Sequence, residues 1–329
     1  MAVRRISHIV ATCVLVSAGW GSADTQAYDP LAVGGGESKT LDLTVEDKAR
    51  TREIPLRAYL PAGKAAAPVV LFSHGLGGSR EGCAYLGRHW AGRGYLAVFV
   101  QHPGSDTSVW KDVPLAQRMD AMRKAASLQN YLLRVKDIPA VLDQLERWNT
   151  ETGHALHGRM NLKRVGMSGH SFGAVTTQAV SGQRTMLGRA TFTDRRIKAA
   201  VAFSPSSPQR GSAKQAFGGV RIPWLLMTGT KDVAFVGNAD LKSRLAVFSA
   251  LPPGGKYELV LDRAEHSAFS DRGLPGDKEK RNPNHHRAIR ALSTAFWEAY
   301  LREDAAAKSW LDGKGPRSVL EANDRWQKK

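Results

Sequence analysis

The chain has 329 residues, two cysteines, and a formal net charge of +17 from 47 basic and 30 acidic side chains. A chain this long can bury a core without covalent staples, so a disulfide scaffold is excluded and one large domain fits. The basic residues are dispersed, with no run of five or six and no interleaved aromatics. No nucleic-acid partner is therefore expected, and the charge is left to solubility and a loose attraction to anionic surfaces.

Residues 1–27 read as a cleaved signal peptide. Arg4 and Arg5 form a charged start, residues 9–16 are almost wholly apolar, and small residues at 21–23 and near Ala27 offer cleavage sites. The apolar run is too short to span a bilayer. Export to a bacterial periplasm or medium is expected, with a retained N-terminal anchor as the alternative. Cleavage removes Cys13 and leaves Cys83, read as a buried small side chain. The mature charge is then about +16 by the same counting.

Residues 28–312 are expected to form one folded domain, followed by a polar C-terminal tail, 313–329, with Trp326 as its anchor. Residues 32–38 are a glycine-rich lead-in. Alternation over 40–45 and 54–60 predicts two antiparallel strands. Continuous apolar runs at 68–72, 95–100, 162–167, 197–203, 222–227 and 257–261 predict strands buried on both faces. Helices are predicted at 81–92, at 137–148 with Asp137 as cap and Pro139 in its first turn, along the Ile289, Leu292, Phe296 and Tyr300 face, and at 304–311. Residues 107–130 have no clear pattern, although Trp110, Met119, Met122 and, just beyond, Tyr131 are candidates to line a pocket. Strands alternating with helices imply an α/β fold, a mostly parallel sheet with helices on both faces.

In such a sheet the loops at the carboxyl ends of the strands converge on one edge. Four features fall there. Gly169-His170-Ser171-Phe172-Gly173 reads as strand, sharp turn, helix, the context of a nucleophile elbow. Side chains at 169 or 173 would collide with the neighbouring strand or helix. Ser73-His74-Gly75-Leu76-Gly77-Gly78 is a glycine-rich turn without the Lys-Ser/Thr ending of a phosphate loop. The N–H of Leu76 and the N–H of Phe172 can together form an oxyanion hole. Asp232 follows another strand, with Asp240 and Asp262 as rivals, and His266 follows the last. A serine hydroxyl needs an imidazole to take its proton, and the imidazole needs a carboxylate to fix its tautomer. Ser171, Asp232 and His266 have the chain order this architecture uses. His285-His286 lack a second ligand pair at metal spacing and read as a solvated helix start, so no metal is expected.

The motifs Phe72-Ser73-His74-Gly75-Leu76-Gly77, Gly169-His170-Ser171-Phe172-Gly173, Thr228-Gly229-Thr230 with Asp232, and Glu265-His266 resemble those of α/β-hydrolases in the platelet-activating-factor acetylhydrolase and dienelactone-hydrolase-like group. The resemblance runs from about Pro61 to Leu311. It implies the α/β-hydrolase fold and cofactor-free hydrolysis of a small-molecule or lipid ester, with Ser171, Asp232 and His266 as triad and Leu76 and Phe172 as oxyanion donors. Ala174 departs from the second glycine found in the acetylhydrolases, and the serine departs from the cysteine nucleophile of true dienelactone hydrolases. An exported short-chain esterase is the leading expectation. A cutinase-like polyester or lipid hydrolase, and a non-catalytic surface-binding protein retaining the fold, are the alternatives.

Overall fold

A computed structural model describes residues 27–34, 38–185, 187–189, 191–237, 239–274 and 276–329. The leader apart from Ala27, and residues 35–37 of the lead-in, lie outside the described residues. Two alternating segments pair as the antiparallel strands β1 (Lys39–Asp47) and β2 (Arg52–Leu60). The apolar runs form β3 (Ala67–Ser73), β4 (Leu96–Val100), β5 (Met160–His170), β6 (Ile197–Phe203), β7 (Trp224–Lys231) and β8 (Lys256–Glu265). With β9 (Arg325–Lys328) they make one sheet in the order β1-β2-β4-β3-β5-β6-β7-β8-β9. The six central strands are parallel, and β1, β2 and β9 run antiparallel to their neighbours.

Period-two alternation sends successive residues of each strand into opposite layers. Val70 and Phe72 join Trp90 of α1 (Ala84–Gly92) and Phe296 and Trp297 of α7 (Pro283–Leu301). Val69 and Leu71 pack with Ile138, Leu142 and Leu145 of α3 (Leu128–Thr150). Leu226 and Trp224 meet Phe217 of α5 (Ala213–Phe217) and Val247 of α6 (Leu241–Ala250). Side chains of this size each contribute about 1.5–3 kcal/mol when buried, which is why the sheet needs cover on both faces.

Several expectations are corrected. The long helix starts at Leu128, capped by Ser127, whose hydroxyl accepts the Asn130 N–H (3.1 Å). Pro139 therefore lies inside the helix, and Asp137 is no cap. Its carboxylate is buried among Arg50, Arg52 and His102 instead. The unpatterned stretch holds α2 (Leu115–Ala125), an exposed helix with Ala125 buried. Residues 325–328 are part of the sheet, and Trp326 stacks on Tyr257 with centroids 5.5 Å apart. His285 is buried and donates to the Asp262 carbonyl (3.1 Å), while His286 stacks on Tyr85, so the start of α7 is packed rather than solvated. Cys83 is buried ahead of α1, not within it. The predicted final helix is α8 (Ala305–Asp312), capped by Asp304.

Candidate active site

Ser171 occupies the turn between β5 and α4 (Phe172–Val180), with φ 56° and ψ −114°. A non-glycine residue held there costs about 1–3 kcal/mol and persists only when its surroundings enforce it. They do so here. The Ser171 N–H donates to the Phe203 carbonyl (2.9 Å). A Cβ at Gly173 would overlap the Ser73 carbonyl oxygen, and one at Gly169 would overlap the Gly173 carbonyl. Both glycines thus let the elbow press against the end of β3.

His266 begins a short 3-10 turn directly after β8. Its Nε2 lies 2.9 Å from Ser171 Oγ, and its Nδ1 lies 2.7 Å from Asp232 Oδ1. These partners assign the tautomer: Nδ1–H donates to the carboxylate, and Nε2 accepts the serine hydroxyl. Asp232 is fully buried just past β7, accepts Thr228 Oγ1 on Oδ2 (2.8 Å), and pairs with Arg244 of α6 (3.0 Å). Burial alone would raise its pKa. The charge and hydrogen bond of His266, with the Arg244 guanidinium, outweigh that and hold it at about 2. The rivals are elsewhere: Asp240 caps α6 by accepting the Ser243 N–H (2.8 Å), and Asp262 faces Thr230 and Asn323.

The glycine-rich loop after β3 lies against this relay, since a Cβ at Gly75 would come 3.4 Å from Ser171 Cβ. Among the described residues no acceptor takes the N–H of Leu76 or of Phe172. The peptide that carries the Leu76 N–H is held by its own carbonyl: Gly75 O accepts His74 Nδ1–H (2.6 Å) and the Gly78 N–H (3.0 Å). His74 Nε2 in turn accepts the His102 N–H (3.0 Å). Burial, reinforced by the nearby Arg134 charge, pushes the His74 pKa well down, so the ring is the neutral form these two bonds require.

Sequence reasoning missed several residues around the site. His170 donates Nε2–H to the His266 carbonyl (3.1 Å), and its pKa is pushed down to about 3, mainly by burial. Arg244 also donates to the carbonyls of Asp232 (2.8 Å) and Ser204 (2.7 Å). A second Ser-His-Asp chain lies behind the loop: Ser73 Oγ is 2.8 Å from His102 Nε2, and His102 Nδ1 is 2.8 Å from Asp137 Oδ2. All three residues are fully buried, and Arg134 Nη2 donates to Ser73 Oγ (3.0 Å). This chain has no access to a substrate. Of the candidate pocket residues, Trp110 donates to the Gly77 carbonyl (2.8 Å) and Met122 lies beside it, over the loop that carries Leu76. Met119 is exposed, and Tyr131 packs edge-on against Phe192.

A mostly parallel sheet covered by helices on both faces, with its serine elbow after β5, has the α/β-hydrolase fold. Over 263 residues the chain is 23% identical to Cutinase est2 of Thermobifida alba, covering 80% of this chain and 69% of that protein. The two are distant homologues. No family model matches the chain.

Proposed function

We propose that this protein is an exported serine hydrolase that cleaves carboxylic esters with short acyl groups through an acyl-serine intermediate. The observation that supports it most is the unbroken relay from Ser171 through His266 to buried Asp232, beside two unclaimed N–H groups. The distant likeness to a cutinase supports ester hydrolysis, and export follows from reading residues 1–27 as a leader.

In the first half-reaction Ser171 Oγ attacks the ester carbonyl while His266 Nε2 takes its proton. The carbonyl oxygen gains negative charge and is held by the N–H groups of Leu76 and Phe172, the latter at the first turn of α4. Each such donor is worth about 3–4 kcal/mol of barrier. Asp232 stabilises the imidazolium. The alcohol leaves after taking the proton from His266, and the second half-reaction repeats the sequence with water attacking acyl-Ser171.

The test is hydrolysis of p-nitrophenyl esters of two to twelve carbons by the wild type and Ser171→Ala. Activity on the shortest esters, abolished by the substitution, is the expected result, and no turnover of any ester by folded protein overturns the proposal. A second reading, a cutinase-like hydrolase of polyesters or lipids, is favoured by the same relative and by exposed apolar side chains on segments flanking the site: Leu115 and Met119 on α2, Phe235 after Asp232, and Leu274 after His266. Preference for the longest esters and release of acid from a polyester film would select it.

A further inference from the structure

We propose that Arg134 is a positioning residue that clamps the two halves of the oxyanion hole together and places a buried positive charge behind them; this rests on the esterase reading. The two donors come from separate elements, Leu76 from the loop after β3 and Phe172 from the start of α4. Strand pairing joins the two elements as far as Ser73 and Gly169, but beyond it no backbone hydrogen bond among the described residues ties the loop to the start of α4. Arg134, projecting from α3, is fully buried and touches both sides. Toward the loop, Nη2 donates to the His74 carbonyl and to Ser73 Oγ (3.0 Å), and Nη1 donates to Ser105 Oγ (2.9 Å). Ser105 also holds the loop through its carbonyl, which accepts the Gly77 N–H (2.9 Å). Toward the elbow, Nε donates to Thr176 Oγ1 on α4 (3.1 Å), and the guanidinium lies 4.7 Å from the centroid of the Phe172 ring.

The charge is what makes this more than packing. Among the described residues no carboxylate hydrogen-bonds or ion-pairs with Arg134; Asp137, one turn along α3, is taken by Arg50, Arg52 and His102, and Asp106 by Gln101 and Ser108, so both act on it only at longer range. A buried cation without a direct counter-charge is costly, and burial pushes its pKa down to about 9. The sealed Ser73-His102-Asp137 chain acquires a purpose in the same way. The Ser73 hydroxyl donates to His102 Nε2, so its lone pairs are turned toward Arg134. When charge develops on the substrate oxygen in the hole, a fixed buried cation acts on it without solvent screening.

The experiment compares wild type, Arg134→Lys and Arg134→Met for kcat and KM on p-nitrophenyl acetate, and for inhibition by phenylboronic acid, whose serine adduct is tetrahedral. Misplaced donors are expected to cost about 10–100-fold in kcat with KM changed less than about threefold, because a shift near 1 Å has that effect on rate. Boronate affinity is expected to fall in parallel, with lysine retaining more activity than methionine. A structural defect alone would lower the yield of active protein and leave the KM-against-kcat split and boronate affinity of that fraction unchanged. Folded Arg134→Met with wild-type kcat overturns the proposal. Where neither variant folds, Thr176→Val decides it: the near-isosteric change removes the hydrogen bond from Arg134 to α4, together with the Thr176 Oγ1 bond to the Phe172 carbonyl (3.0 Å), and an unaltered kcat overturns the clamp. Wild-type protein inactive on all esters removes both readings, whereas active wild type with unimpaired variants removes only this one.

Discussion

Replacing Asp232 by asparagine isolates one charge in the relay. The carboxylate accepts from His266 and Arg244 on Oδ1 and from Thr228 on Oδ2. An asparagine with its amide oxygen at the Oδ1 position keeps the first two bonds, and the Thr228 hydroxyl rotates to accept from the new NH2. The imidazole keeps its tautomer, but the imidazolium formed in the proposed mechanism loses its counter-charge. Arg244 Nη2, 3.2 Å from His266 Nδ1, is then unopposed. One charge pair about 4 Å apart is worth about 4 kcal/mol at an effective dielectric near 20. The expected loss is therefore about 10³-fold in kcat with KM little changed. Folding is expected to suffer less. A carboxylate held near pKa 2 rather than 3.8 contributes about 2 kcal/mol above pH 4, and this is lost as pH falls toward 2. At pH 7 the variant should remain folded, with a lower midpoint in thermal or urea unfolding. Steady-state kinetics on p-nitrophenyl acetate beside circular dichroism melts make the test. A folded variant within tenfold of wild-type kcat would refute the assignment of Asp232 and the electrostatic reasoning behind it.

Three further outcomes are expected. Gly173→Ala forces its Cβ into the Ser73 carbonyl, a backbone clash that cannot relax, so soluble active protein should be lost or its melting point should fall sharply; a melt like wild type would contradict the elbow packing. Burial holds His102 and His89 at about 4 and His170 at about 3, against 6.5 when unfolded. Folded pKa values below unfolded ones mean stability that is complete above pH 6.5 and falls as pH drops through about 4, by about 2 kcal/mol per histidine between pH 6.5 and 5. Urea midpoints measured from pH 8 to 5 should fall accordingly, and a flat profile would contradict the neutral buried rings. Deleting residues 324–329 uncovers the edge of β8 and one face of Tyr257, so unfolding should move to lower temperature, whereas an unchanged melt would mean that the strand adds nothing.

What could be read from sequence, and what could not, divides by range. Strands β3 to β8 were legible because each is a continuous apolar run between turn residues, and a strand buried on both faces has no other composition. Ser171, Asp232, His266 and Leu76 were legible because each directly follows such a run, and the sheet brings those ends to one edge. The role of Asp137 was not, since a carboxylate two residues ahead of Pro139, where the apolar periodicity begins, looks like a cap until its partners on β2 and after β4 are known. Arg134 and Arg244 look like surface charge for the same reason. The start of α3 was obscured by Pro139, which marks a first turn more often than a helix interior. Residues 325–328 are too polar and too few to announce a strand; pairing with β8 makes them one.

The proposed mechanism requires Ser171, and no other serine, to be the nucleophile. Ser73 makes this a demanding requirement, because that residue also has a histidine at 2.8 Å backed by a carboxylate. The most direct measurement is intact-mass and peptide-mapping mass spectrometry after treatment with a fluorophosphonate probe. The predicted result is a single adduct on Ser171, absent in Ser171→Ala, with Ser73 unmodified. No adduct on folded protein, or an adduct on another serine, would contradict it.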